Sequence, residues 1–461
     1  AILRGISIRM PLLIYGATLK REDDEITIDN FADIVDKDSW AEFMPKGVTK
    51  QVFRKFKKYY EADIFREAGK RIRSMARAAD NLTVEDRIER ISSIFNTFRN
   101  PDKETVLTPW RVVNMHLGDC LGGYSFYDEQ YAKMLDVPRY IDGGKVTDDV
   151  YATDSKVLEI NSKSGLYPLF VAYNIYRRRV EEAKRKYGEV DRGFALSLWD
   201  STIEQNIFVI CKTPMARDIT RRTLVGFRNT RVNAQYYKDL IEVIKNNPAT
   251  FVNEVRDGRR FWNTNNNDHM KFNAIVGNPP YQVMDGGIGS SAIPVYHHFV
   301  NVANKIDPQY VSLIMPAKWY SGGRGLDAFR QSMLSDHCIS HLFDFIDSHD
   351  CFTKVDIAGG VCYFLRDKFY NGNCVVSTIR NGKTTVVTRN LNELDVFVRT
   401  KEELDILDRI KANSESFMSD VVLARSYIVD KISLSESQQA RADMNDDGTV
   451  DVSDVVAIRK K

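Results

Sequence analysis

"KFNAIVGNPPYQ", residues 271–282, is an apolar run of strand length that halts on Asn278, Pro279, Pro280 and Tyr281. It is one of a series. "SKVLEI" (155–160), "IFVICK" (207–212), "YVSLIMP" (310–316), "HLFDFI" (341–346) and "GVCYFL" (360–365) are short and mostly apolar in the same way. Stretches of helical spacing, such as "PVYHHFVNVANKI" and "LDAFRQSMLSD", separate several of them. Strands that alternate with helices need crossover connections, so the pattern predicts an α/β fold with a doubly wound, mostly parallel sheet covered on both faces. In such a sheet ligands sit beyond the carboxyl ends of the strands, which is where Asn278 to Tyr281 fall.

The chemistry of that loop follows from its residue types. Each proline fixes its own φ and drives the preceding residue toward extended geometry, so Asn-Pro-Pro forms a rigid loop whose carbonyls point in set directions. An amide side chain beside such a carbonyl provides two fixed acceptors, the arrangement that holds both hydrogens of an exocyclic amine. Tyr281 adds a flat face on which a planar group can stack.

Composition bounds the rest. The 461 residues are 43% hydrophobic and 28% charged, enough for two or three domains with cores of their own. A formal charge of +2 means that any nucleic-acid surface must be local rather than chain-wide. The six cysteines, Cys120, Cys211, Cys338, Cys351, Cys362 and Cys374, form no CxxC pair and no metal-like spacing, which suits reduced thiols and a cytoplasmic location. No apolar run approaches a membrane span and no signal peptide is visible, so no membrane partner is expected. The opening "AILRGISIRMPLLIYGA" reads as strand-like and starts without a Met, as a piece of a longer protein would. The segments 48–80 and 84–98 carry helical periodicity, so the first hundred residues are expected to be mostly helical.

With these residues in view, the sequence resembles a family. "NPPY" after "FNAIVG" is similar to the catalytic motif of amino-methyltransferases that use S-adenosylmethionine, above all restriction-modification adenine-N6 DNA methylases. "ETVLTPWRVVNMHL" (104–117) resembles the family's Thr-Pro segment, which implies that Thr108 and Pro109 contact the methionine part of the cofactor. "VLEINSKSGLYPL" (157–169) occupies the place of the cofactor-binding strand and turn, and the resemblance assigns Glu159, Asn161 and Gly165 to it. It departs from the family in Ile160, where Pro is common, and in Lys163, where the first Gly is common. The second strand also lacks the acidic residue that holds the ribose hydroxyls, ending instead on Cys211 and Lys212. Asp257, just before the catalytic strand, falls where an acid near the cofactor adenine is expected.

The first hundred residues, with "RGISIRMPLLIYG" and "FRNPDKETVLTPW", resemble the stretch that joins a helicase motor to its methylase in fused restriction-modification polypeptides. No phosphate-binding GKT or DEAH-type sequence is present. The implied partners are double-stranded DNA and a helicase or nuclease part of the same system. Five arginines in 216–231, Arg217, Arg221, Arg222, Arg228 and Arg231, are candidates for DNA phosphates, though a solvated helix face uses the same residues.

The C-terminus reads differently. In "DMNDDGTVDVSD", Asp443, Asn445, Asp447, Thr449, Asp451 and Asp454 occupy positions 1, 3, 5, 7, 9 and 12 of a calcium loop, with Gly448 at the sharp turn. The segment resembles one repeat of a dockerin, the calcium module that docks on cohesins, which implies bound Ca2+ and a cohesin-like partner.

The expected organisation is therefore a helical linker-like region (1–100), a methyltransferase core (101–370), a partial target-recognition region (371–424) and a dockerin-like repeat (425–461). The expected activity is adenine-N6 methylation of a flipped base. Methylation of a protein glutamine and a non-catalytic calcium-dependent module stand as alternatives.

Overall fold

The computed structural model describes residues 2–21, 24–98, 107–264, 269–284, 292–353 and 355–405. The calcium loop at 443–454 lies outside the described residues. Among those described, no helix is long and apolar enough to cross a membrane, and no group of three or more His, Cys, Asp or Glu is placed to hold a metal ion.

The chain opens with helices, not the expected strand: α1 (Ile2–Ser7) and α2 (Met10–Gly16). The isoleucines of the opening favour a strand by type, but Ile6, Met10 and Leu13 are three to four apart and are all buried, which is the spacing of one helix face. Then come α3 (Phe31–Ile34), α4 (Lys37–Phe43), α5 (Lys50–Phe56), α6 (Ala62–Ala79), α7 (Val84–Thr97) and α8 (Trp110–Leu121). The start of α7 is set by Thr83, whose hydroxyl accepts from the Asp86 N–H. A hairpin, β1 (Gly123–Tyr127) and β2 (Met134–Ile141), precedes the main sheet.

The main sheet has nine strands: β3 (Val157–Ile160), β4 (Ile207–Cys211), β5 (Asn233–Tyr236), β6 (Ala274–Gly277), β9 (Tyr310–Pro316), β10 (Ile339–Phe345), β11 (Val361–Asp367), β12 (Cys374–Arg380) and β13 (Lys383–Arg389). Two short strands, β7 (Gln282–Met284) and β8 (Ala292–Pro294), form a separate hairpin. The order is β13-β12-β10-β11-β9-β6-β3-β4-β5, with β5, β4, β3, β6 and β9 parallel and β11 antiparallel to both neighbours. All six apolar runs picked out in the sequence are strands of this sheet. The sheet also continues past residue 370 through β12 and β13.

Further helices are α9 (Lys145–Val150), α10 (Leu166–Tyr187), α11 (Arg192–Asn206), α12 (Pro214–Val225), α13 (Leu240–Asn246), α14 (Pro248–Val255), α15 (Tyr296–Ile306) and α16 (Asp327–Leu334). Alternate residues of each strand face opposite layers. Val157, Val209 and Val276 join a core with α2, α7, α8, α10 and α12, while Leu158, Ile210 and Ile275 join a second core with α13 to α16. The described residues up to Phe397 form one compact unit. The described residues beyond it, 398–405, carry a capping box between Thr400 and Glu403.

The chain runs from β3 outward to β4 and β5, then crosses back to β6 on the other side of β3. That reversal leaves a crevice beyond the carboxyl ends of β3 and β6.

Candidate active site

Glu159 ends this crevice on β3. Its residue pairs with Val209 and Val276, so it stands beside the last turn of β6. The side chain is buried, its Oε2 has no hydrogen-bond partner, and burial pushes its carboxyl up to about 8. Gly277 makes room for it. A Cβ at Gly277 would lie 3.1 Å from Glu159 Cγ, and the Gly277 φ of +146° is one that side-chain-bearing residues avoid.

Asn161 follows β3 with φ of +72°, held because its N–H bonds Ile210 O at 2.8 Å. Both of its amide atoms are buried without a partner. The turn closes at Gly165, where φ is +74° and a Cβ would lie 3.0 Å from the Thr220 Cα, so only glycine lets α10 start this close to α12. Ile160 and Lys163 therefore replace the usual residues without undoing the turn.

At the end of β6, Asn278 Nδ2 donates to Thr108 Oγ1 at 2.9 Å. With its N–H end tethered, the amide presents Oδ1, which is buried and has no partner. Pro279 is buried beside it and Tyr281 is half-buried, its hydroxyl near the Asn278 side chain. The Tyr281 carbonyl accepts from Val295 N at 3.1 Å, fastening the loop to the start of α15.

Thr108 owes its place to α8. His116, fully buried and kept neutral by that burial, bonds Tyr167 of α10 through Nδ1 and Ser312 of β9 through Nε2, both at 2.8 Å. Arg111 donates to the carbonyls of Tyr131, Asp350 and Cys351. Pro109 caps the helix in extended geometry. Thr108 was read as a cofactor contact; the structure gives it a second position, as the partner of Asn278.

The end of β4 is covered by α4. Ser39 Oγ accepts from Met215 N at 2.9 Å, and Thr213 Oγ1 donates to Glu42 Oε2 at 2.6 Å. No periodicity or motif in the sequence pointed to Glu42, because its neighbours here are about 170 residues away along the chain.

Other candidates fall elsewhere. Asp257 bridges His269 and is followed by the run into the amino end of β6, while the adjoining Arg256 donates to Ile306 O just before β9. Asp257 thus lies at the amino ends of these strands, a strand's length from Asn278, and the structure does not bring it to the crevice. The five arginines mostly hold protein. Arg222 is buried, its guanidinium 3.6 Å from the Phe227 ring and bonded to Ala17 O. Arg228 pairs with Asp200 at 2.6 Å, Arg221 donates to the carbonyls of Arg228 and Thr230, Arg231 to those of Trp262 and Asn263, and Arg217 pairs with Asp218.

Comparison with known proteins adds an independent line. An uncharacterized adenine-specific methylase of Mycoplasma pneumoniae is 31% identical over 166 residues, 35% of this chain and 39% of that protein. The chain therefore spans about two fifths of that relative's length. Among solved structures, the methyltransferase subunit of a type I restriction-modification system from Streptococcus thermophilus aligns over 84% of this chain and 67% of its own, at 11% identity and a TM-score of 0.39. Residues 205–352, a span that holds Asn278 to Tyr281 but neither Thr108 nor Glu159, match the Eco57I restriction-modification methylase family.

Proposed function

We propose that this chain transfers a methyl group from S-adenosylmethionine to the N6 amine of an adenine in double-stranded DNA, as part of a restriction-modification system. The observation that carries the reading is the Asn278 amide, tethered through Nδ2 to Thr108 with Oδ1 buried and unbonded at the mouth of a crevice that also holds the unbonded Glu159 Oε2. Likeness to an adenine-specific methylase, and the match of residues 205–352, which include the loop, to a restriction-modification methylase family, support the choice of base.

The polar groups of the crevice fit the cofactor. A buried carboxyl that resists ionisation, as Glu159 does, is a receptor for a cation, and the methionine end carries an ammonium group. The two amide atoms of Asn161 can satisfy further polar groups of the same ligand. Bound there, S-adenosylmethionine supplies a methyl on a positively charged sulfur.

The chain's own residues do the rest. Asn278 Oδ1 and the Pro279 carbonyl accept the two amine hydrogens of a flipped adenine, which orients the nitrogen lone pair away from the loop. Thr108 keeps the amide from turning its N–H side to the base. Tyr281 supplies the stacking face. The new N–C bond forms as the S–C bond breaks, and one amine proton leaves to solvent. Alignment of the reacting atoms contributes most of the acceleration. Of the arginine segment, Arg217 and Arg231 are the more exposed and can meet DNA phosphates.

Transfer of labelled methyl to duplex DNA, followed by nucleoside analysis, tests the reading. N6-methyladenine is the expected product. Asn278→Ala should abolish most transfer while cofactor affinity stays within about twofold, because its bonds matter chiefly at the transition state. Label in a protein glutamine, or an Asn278→Ala chain as active as its parent, would overturn it.

A further inference from the structure

We infer that Glu42, carried by the N-terminal helix α4, binds the ribose hydroxyls of the cofactor, so that the N-terminal helices form part of the cofactor site. The inference rests on the function proposed above. Strand β4 ends on Cys211, is followed by Lys212 and Thr213, and offers no carboxylate of its own where a nucleoside's diol would lie. The structure places one there from another element.

Three contacts fix α4 across the ends of β4 and β5. Ser39 accepts from Met215 N, Thr213 Oγ1 donates to Glu42 Oε2, and Tyr236 of β5 donates to Asp38 at 2.9 Å. Thr213 itself caps α12, so it is held in turn by the Ala216 N–H. Glu42 is thereby oriented with one oxygen bonded and the other, Oε1, buried and without a partner.

The place is the crevice rather than a remote surface. Glu159 and Cys211 share one face of the sheet by strand alternation and register, because Glu159 pairs with Val209, and Thr213 follows two residues after Cys211. Burial raises the Cys211 thiol, and Glu159 and Glu42 both act on it in the same direction. No Lys or Arg pairs with Glu42 among the described residues, so the free oxygen is not committed to an ion pair.

A carboxylate with one oxygen held and one free suits a pair of hydroxyl donors on adjacent carbons. An ammonium would suit it too, but Glu159 lies deeper and is the better desolvated receptor for one. The division of labour is then cation to Glu159 and diol to Glu42. The span matched by the methylase family starts at residue 205, so Glu42 lies outside it.

The test is calorimetric titration of the full chain with S-adenosylhomocysteine and with its 2′-deoxyribose analogue. Glu42→Gln keeps the shape of the side chain and its bond to Thr213, so the fold should be retained, which a thermal melt checks. We expect Glu42→Gln to weaken binding of the ribose ligand by about tenfold or more, as for loss of a hydrogen bond to a charged group, and to weaken the deoxy analogue, which keeps only the 3′ hydroxyl, clearly less. Equal weakening toward both ligands, or none toward either, would show that Glu42 only holds α4 in place and would overturn the inference. Failure of the parent to bind either ligand would overturn the underlying functional reading as well, and is told apart because it needs no variant.

Discussion

A carboxyl buried with one oxygen unbonded, as in Glu159, resists ionisation until a cation arrives. With its value pushed up to about 8 from an ordinary 4.5, the folded chain keeps a proton that the unfolded chain has lost. The ligand-free protein should therefore lose stability as pH rises between those values, by at most about 1.4 kcal/mol per pH unit. Binding the ammonium of S-adenosylmethionine should pull the value down and release that proton. Cofactor affinity is thus expected to rise with pH and level off near about 8. Titrations in buffers of different ionisation heat would count the proton, and Glu159→Gln should flatten the profile. A pH-independent affinity in the parent would argue against a neutral Glu159. The loop at 278–281 was legible at this scale because its chemistry is local, set by an amide, two prolines and a ring in sequence. The orphaned oxygens were not, since their lack of partners is a property of packing.

Among the elements, α8 does for the loop at 278–281 what a clamp does for a workpiece. It is bonded to α10 and β9 through His116 and to the segment after β10 through Arg111, and it presents Thr108 to Asn278. Thr108→Val keeps the volume and β-branch but removes the acceptor of the Asn278 N–H. We expect the rate of transfer to fall about tenfold, with the melting temperature nearly unchanged, measured in the same labelled assay. A rate equal to the parent's would mean that the amide needs no tether. The strands were readable from sequence because burial on both faces makes them continuous apolar runs. The opening helices misled for a related reason, since Ile-rich helices with one buried face mimic strands by composition. The arginines misled because charge density says nothing of partners, and here carbonyls and carboxylates take them up.

For the molecule as a whole, the helical N-terminus is built into the sheet domain. Arg87 of α7 is buried, pairs with Asp80, and donates to the Arg222 and Thr223 carbonyls at the end of α12. Arg87→Met would leave Asp80 and two buried carbonyls without that partner. Chemical denaturation should show a loss of about 3–5 kcal/mol, the range for breaking a buried pair. A loss below about 1 kcal/mol would show that the helical layer adds little to the stability of the sheet. The contacts that make this layer integral also set an order of events during synthesis. His116 waits for Ser312 and Thr108 for Asn278, separations of 196 and 170 residues. The helices thus leave the ribosome long before the strands that will cover their apolar faces. A chain stalled or cut before Asn278 would hold Thr108 and the buried face of α8 without those partners, as a sticky intermediate with half of a site and nothing to close it.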